Sequence, residues 1–165
     1  MEHGAASMEA PVPIDFHELG LADITGMRRL IRKFGSECSM LSIFETRLDM
    51  HHFQKTLNLL FEKGMASGVV AEAEGRVIGV LLYTVSPNLF TGEDTAHEVV
   101  WFVDPEYRDR SVGARLYSRG LKQVKASGCT YMVMVHLETS MPEELKSFYL
   151  RQGYTFMEST YQMRL

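Results

Sequence analysis

The chain has 165 residues, enough for one domain with a real core, and its 45% apolar and 23% charged content is ordinary for a globular protein. A net charge of −4 argues against nucleic acid as the main partner. Two cysteines far apart, Cys38 and Cys129, suit a reducing, cytoplasmic compartment rather than a disulfide framework.

No apolar run approaches the roughly 20 residues that cross a bilayer, so no membrane partner is expected. Residues 1–11 are small, polar and unpatterned and are expected to form a flexible lead, with residues 12–165 as a single domain. Ile14 and Phe16 alternate with Asp15 and His17, a short strand ending by Gly20. Asp23 or Thr25 then caps a helix with Met27, Leu30, Ile31, Phe34 and Cys38 on one face. Arg28, Arg29, Arg32 and Lys33 fill its outer face and read as solvated. The pattern lapses over Ser39–Leu48. A second helix comes next, carried by Met50, Phe53, Leu57, Leu60 and Phe61 and stopping near Gly64.

The texture then turns to β. Val69–Ala73 and Val77–Val85 are strands joined by a Glu74-Gly75 turn, and the second hardly alternates, so both its faces should be covered. Ser86–Thr95 reads as a loop and Val99–Val103 as a buried strand, broken by Asp104-Pro105. A polar stretch with Arg108, Arg110, Ser111 and Gly113 opens into a helix with Leu116, Tyr117, Leu121 and Val124 on one face. A strand feeding a Gly-containing basic loop at a helix N-terminus is an arrangement that holds phosphates, because orphan N–H groups and the positive end of the helix dipole converge there.

After that helix, Tyr131–Val135 is expected as a strand parallel to Val99–Val103, since the helix makes a crossover. Ser140 and Glu143 fit a capping box for a helix carrying Leu145, Phe148 and Tyr149, with Gly153 at its C′ position. Tyr154–Phe156 and Thr160–Met163 read as one or two closing strands. The fold class is therefore α/β: a mixed sheet of about six to seven strands with helices on both faces, in the order β-α-α-β-β-β-α-β-α-β(β).

This order, with the basic loop after the fourth strand, resembles the GCN5-related N-acetyltransferase (GNAT) family over about residues 12–165. The family's Arg/Gln-x-x-Gly-x-Gly/Ala signature, with Val-x-Pro before it, is matched by Val103-Asp104-Pro105-Glu106-Tyr107-Arg108-Asp109-Arg110-Ser111-Val112-Gly113-Ala114. Its aromatic-Tyr pair followed by Gly-aromatic is matched by Phe148-Tyr149-Leu150-Arg151-Gln152-Gly153-Tyr154. The wording is similar to small bacterial and phage-encoded members. Two departures stand out: Ser111 replaces the first glycine, and cannot take positive φ as cheaply, and Pro142 replaces a frequent asparagine.

The resemblance implies an acyltransferase that moves an acetyl group from acetyl-CoA to an amine by direct transfer. The pyrophosphate would sit on backbone N–H groups from Arg110 through Ser111, Val112, Gly113 and Ala114, with Arg108 and Arg110 adding charge-assisted bonds. The pantetheine arm would pair with backbone groups of Phe102 and Val103 where the fourth strand splays from its neighbour. Tyr149 occupies the position of the acid that protonates the departing thiolate. A lysine-like amine is mostly protonated at neutral pH, so a base helps: Glu98 is the first candidate, with His97 on the opposite strand face and Glu138 as alternatives. Acceptors would enter between Ser39–Leu48 and Ser86–Thr95, with Phe44, Glu45 and Tyr83 as lining. The acceptor is a small-molecule amine or a protein lysine or N-terminus, and the resemblance allows a homodimer. A catalytically silent acyl-CoA-binding module and a protein-modifying toxin or host-takeover factor stand as the other readings. No metal is expected: adjacent His51-His52 point about 100° apart on a helix, and the 11 methionines read as core filler.

Overall fold

Ile24, Met27, Leu30 and Ile31 become the buried stripe of α1 (Asp23–Glu37). The computed structural model describes residues 12–39 and 48–165; the expected lead at 1–11, and Phe44 and Glu45, lie outside the described residues. Asp23 stands inside the first turn, where its Oδ2 accepts the Gly20 N–H at 2.8 Å. In α2 (Met50–Glu62), Asp49 is the N-cap and accepts the N–H groups of His51 and His52 at 3.0 and 2.9 Å, while Met50 and Leu57 are buried. Lys63 closes the helix, and Gly64 comes after it at φ 67°.

Among the described residues five strands form one sheet in the order β1 to β5: β1 (Asp15–Glu18), β2 (Ala66–Ala73), β3 (Arg76–Pro87), β4 (Asp94–Val103) and β5 (Tyr131–Val133). The first three pairings are antiparallel and β4–β5 is parallel, as the crossover through α3 (Val112–Ala126) requires. The β2–β3 turn holds Glu74 and Gly75 both at positive φ, the hairpin geometry expected of that pair. Helices α1 and α2 cover one face, where Met27, Leu30 and Ile31 meet Val80, Leu82, Val100 and Phe102. Helix α3 covers the other, where Val112 and Leu116 meet Leu81, Val103 and Tyr107. Val77 to Tyr83 are all buried, so β3 is covered on both faces as its unalternating sequence implies.

Several expectations are corrected. Strand β4 begins at Asp94, absorbing the end of the expected loop, and β5 has three residues rather than five. Residues 154–165 form no strand, so among the described residues the sheet has five strands rather than six or seven. The last helix, α4 (Pro142–Arg151), has Met141 as its N-cap at φ 44° with no side-chain cap, not Ser140. Proline is best accommodated at the first helical position, and Pro142 there moves the cap one residue past the serine. The basic face of α1 is not simply solvated: Lys33 and Arg29 reach the fully buried Asp104 at 2.8 and 2.9 Å. Burial pushes the Asp104 carboxyl up, but the Lys33 ammonium, the Glu106 N–H and Arg29 together hold it below the usual carboxylate range.

Two irregularities of β4 set the geometry of its far end. Leu82 opposes Val100 but Tyr83 opposes Glu98, so Val99 is an extra residue, a bulge that leaves its side chain 45% exposed. The parallel ladder to β5 has three rungs, Thr95–Tyr131, Ala96–Met132 and His97–Val133, and then stops. Beyond His97, β4 runs on without a strand partner on that side among the described residues.

Candidate active site

The bulge puts Glu98 and Trp101 on the same face of the sheet, although three residues apart in a regular strand they would face opposite ways. Glu98 opposes Tyr83 and shares the α3 face with it, while His97 opposes Thr84 on the α1–α2 face and is exposed. Just past the last rung of the ladder, the Glu98 carboxylate accepts the Val135 N–H at 3.0 Å, and it also takes the Trp101 N–H. It therefore spans the gap where the strands part. The Tyr149 hydroxyl, on α4, donates to the Val135 carbonyl at 2.7 Å and lies within hydrogen-bonding reach of the same carboxylate. Of the three base candidates, only Glu98 is brought to Tyr149; Glu138 is exposed in the segment after β5.

Burial raises the Glu98 pKa from the ordinary 4.5 to about 7, against the lowering bonds from Val135, Trp101 and Tyr149. Tyr149 is pushed well above its ordinary range, by burial first and then by the negative charge of Glu98. The pair thus holds a carboxyl that titrates near neutrality beside a phenol that keeps its proton.

Between β4 and α3 the chain makes a 3-10 turn (Pro105–Arg110). Ser111 comes next at φ 56°, ψ 21°: the serine takes the left-handed conformation that glycine would take more cheaply, at a cost of about 1 kcal/mol. It caps nothing with its hydroxyl, and no acidic residue lies in the first turn of α3. The N–H groups at the start of α3 thus keep their positive end unneutralised. A Cβ on Gly113 would come no closer than 3.7 Å to Val103 and 3.8 Å to Trp101, ordinary contact distances. Packing does not demand glycine here; its effect is a bare helix face.

The two arginines are placed differently from one another. Arg108 turns back: its Nε donates to the Val103 carbonyl at 3.1 Å, it pairs with Glu37 at 2.6 Å, and it stacks 5.2 Å over the Phe102 ring. It braces α1 against the end of β4. Arg110 stays exposed, 5.5 Å over Tyr107, with a 3.3 Å bond to the Val12 carbonyl. The strand edge also differs. The Asp104 N–H points inward to Ile78, so by alternation the backbone groups facing the gap are those of Val103 and Trp101, not Phe102. Tyr83 is 1% exposed behind the bulge, packed with Ala96 and Val124, and lines nothing.

Sequence reasoning missed Trp101 and Val135. The Trp101 ring packs 5.3 Å from Phe148, 5.7 Å from Tyr117 and 6.4 Å from Tyr149, and its Nε1–H donates to the Gly113 carbonyl at 3.2 Å. It joins the start of α3 to the helix that carries Tyr149. One mixed grouping was also invisible in the spacing: His17, Asp23 and Glu72 bring one ligand atom each within 4.8 Å of one another, at the opposite edge of the sheet.

The family description "Acetyltransferase (GNAT) family" matches residues 30–154. Among solved structures, the chain is similar to the ribosomal-protein-alanine N-acetyltransferase from Brucella melitensis biovar Abortus 2308, with TM-score 0.69 and 16% identity over 93% of this chain and 99% of that one. It is similar to a Trypanosoma brucei acetyltransferase at TM-score 0.68 and 18% identity, covering 93% and 100%. It is also similar to an aminoglycoside acetyltransferase from an uncultured soil metagenomic sample in complex with sisomicin, at TM-score 0.69 and 17% identity, covering 92% and 96%. At such identities the likeness is one of fold. No curated protein sequence matches. The span matched by the family takes in β4, the start of α3 and Tyr149, and the chain belongs to the acetyltransferase (GNAT) family.

Proposed function

We propose that the protein is an acetyl-CoA-dependent N-acetyltransferase acting by direct transfer, with Glu98 as base and Tyr149 as acid. The observation that carries this is their meeting at Val135, across the gap where β4 and β5 part. Acetyl-CoA, when bound, supplies the activated thioester. The residues fit it: an uncapped α3 N-terminus with bare Gly113 suits a pyrophosphate on the N–H groups of Ser111 to Ala114, with the exposed Arg110 nearby to add charge. The Trp101 carbonyl and the Val103 N–H, which Glu98 and Arg108 do not take, suit an arm laid along the strand edge. Phe102 and Arg108 drop out of that role and keep structural ones.

Once the ammonium has lost its first proton to solvent, Glu98 takes the second from the amine, directly or through a water, as the nitrogen attacks the thioester carbonyl. A base with a pKa of about 7 matches that task near neutral pH. The C–N bond forms, the C–S bond breaks, and Tyr149 gives its phenolic proton to the departing thiolate. Protonated Glu98, within hydrogen-bonding reach, returns a proton to Tyr149 and closes the cycle. The acceptor is an amine, on a small molecule or a protein lysine or N-terminus; the named structural neighbours act on chemically different acceptors and do not narrow it. Both cysteines are free, in keeping with a reducing cytoplasmic location.

Trp101 is the only tryptophan and stands on the proposed cofactor edge, so its emission reports binding. Acetyl-CoA should change that emission saturably, and an amine panel should then release free CoA thiol. No binding at high micromolar acetyl-CoA removes the reading. Binding without thiol release from any amine leaves the silent acyl-CoA-binding module instead.

A further inference from the structure

Tyr154 follows α4, and none of the proton transfers assigned to Glu98 and Tyr149 uses it. Gly153, at φ 89°, reverses the chain at the helix end, and the Tyr154 N–H returns to the Tyr149 carbonyl at 3.0 Å. The Tyr154 ring then stacks 5.6 Å from the Tyr149 ring and 6.5 Å from that of Tyr117. Its hydroxyl accepts the Tyr117 O–H at 3.3 Å. Tyr117 is buried in α3, with its ring 5.0 Å from Phe148 and 5.7 Å from Trp101. Tyr154 is thus held at both ends: by its backbone to the residue that bears the proposed acid, and by its hydroxyl to the helix whose first turn forms the proposed pyrophosphate cradle.

We propose that Tyr154 is a positioning residue, fixing the Tyr149 hydroxyl relative to α3 through its hydrogen bond with Tyr117. The inference rests on the acid role proposed for Tyr149. Its physical basis is reach. Whatever the start of α3 holds fixes where a thioester arm ends, so the acid has to be registered against α3 rather than merely attached to α4. Packing alone lets α4 slide, because aromatic contacts at 5–6.5 Å tolerate small shifts. One directional hydroxyl pair between the two helices removes that freedom. Burial and the neighbouring Tyr117 hydroxyl raise the Tyr154 phenol above its ordinary range, so it keeps its proton across assay conditions.

The test uses the full chain with Tyr154→Phe, Tyr117→Phe, the double variant and Tyr149→Phe, all of which keep the rings and so the packing. Turnover is measured with an amine that the wild type accepts, and acetyl-CoA affinity by Trp101 emission. Each single variant at the hydroxyl pair should lower kcat about tenfold, since sub-ångström to 1 Å misplacement of a reacting group costs one to two decades. Acetyl-CoA affinity should stay within about twofold and melting temperatures should not move. The double variant should be no slower than either single one, because both remove the same bond. Unchanged kcat in Tyr154→Phe, a double variant slowed by the product of the two singles, or a loss lying wholly in acetyl-CoA affinity overturns the proposal. Tyr149→Phe separates the two levels: full turnover there removes the acid assignment itself, whereas a crippled Tyr149→Phe beside an unaffected Tyr154→Phe removes only the positioning role.

Discussion

Replacing Glu98 by glutamine should change how stability depends on pH. In the folded protein the carboxyl titrates at about 7, and in the unfolded chain near the ordinary 4.5. Between those values the folded state binds the extra proton, so stability must fall as pH rises through that window. Below the unfolded pKa the protonated carboxyl contributes its full increment, about 3.4 kcal/mol for 2.5 units at 1.36 kcal/mol each. Integrated from about pH 5 to about pH 8, the loss is roughly 2.5 kcal/mol. Glutamine keeps the size and one carbonyl acceptor for the Val135 and Trp101 N–H groups but cannot titrate. Urea unfolding of wild type and Glu98→Gln at half-unit steps across that range gives the difference directly. The wild type should lose roughly 2.5 kcal/mol relative to the variant on going up in pH. A difference that stays flat, or that grows in favour of the wild type with rising pH, refutes the buried-carboxyl reasoning. Turnover of the wild type should climb over the same window with an apparent pKa near 7, and the variant should lose that limb.

Tyr149→Phe should lower kcat by about two decades or more while leaving acetyl-CoA affinity nearly unchanged, measured as thiol release against Trp101 emission. Gly113→Ala should be neutral or stabilising by up to about 1 kcal/mol, because a helical glycine gains from a Cβ that meets nothing closer than 3.7 Å. The same methyl on the bare helix face should weaken acetyl-CoA binding about tenfold, so a stability gain with unchanged affinity would move the pyrophosphate elsewhere. Asp104→Asn should destabilise by about 2 kcal/mol in denaturant unfolding, less than for a wholly buried pair because Arg29 and Lys33, each about 40% exposed, can turn to water. A neutral result would mean that this triad contributes little to holding α1 against β4.

What could be read from the chain, and what could not, divides by the range of the interaction. The β2–β3 turn was legible because Glu74-Gly75 is a local conformational demand. The parallel β4–β5 pairing came from a crossover rule; Tyr149 was singled out by motif position and Glu98 by its place at the start of the strand, and both side chains meet Val135. The bulge at Val99 was not legible: the apolar run Val99–Val103 has no alternation from which a phase slip could be noticed. Nor was the commitment of Arg29 and Lys33 to Asp104, because 71 residues separate Lys33 from its partner and helical spacing says only that the two bases share a face. The closing strands failed for a different reason. Tyr154–Phe156 and Thr160–Met163 have strand-like texture, but a strand needs a partner edge, and β5 offers only three residues. Arg108 was assigned to a ligand by motif, and Phe102 by the family resemblance of the strand edge; in the structure a carboxylate from α1 engages the first, and the backbone of the second faces β3.

The extra residue at Val99 also divides β4 into two halves that obey different parity. Upstream, Thr95 to His97 keep step with β5; downstream, Trp101 and Val103 keep step with α3 and the strand edge. The bulge works as a phase joint. On the proposed function, changes in the half toward the incoming amine need not rotate the half toward the acyl donor, because the slip between them absorbs the mismatch. A lineage could therefore remodel its acceptor end while the donor end stays in register, and one strand could serve many amines without losing the partner common to them all.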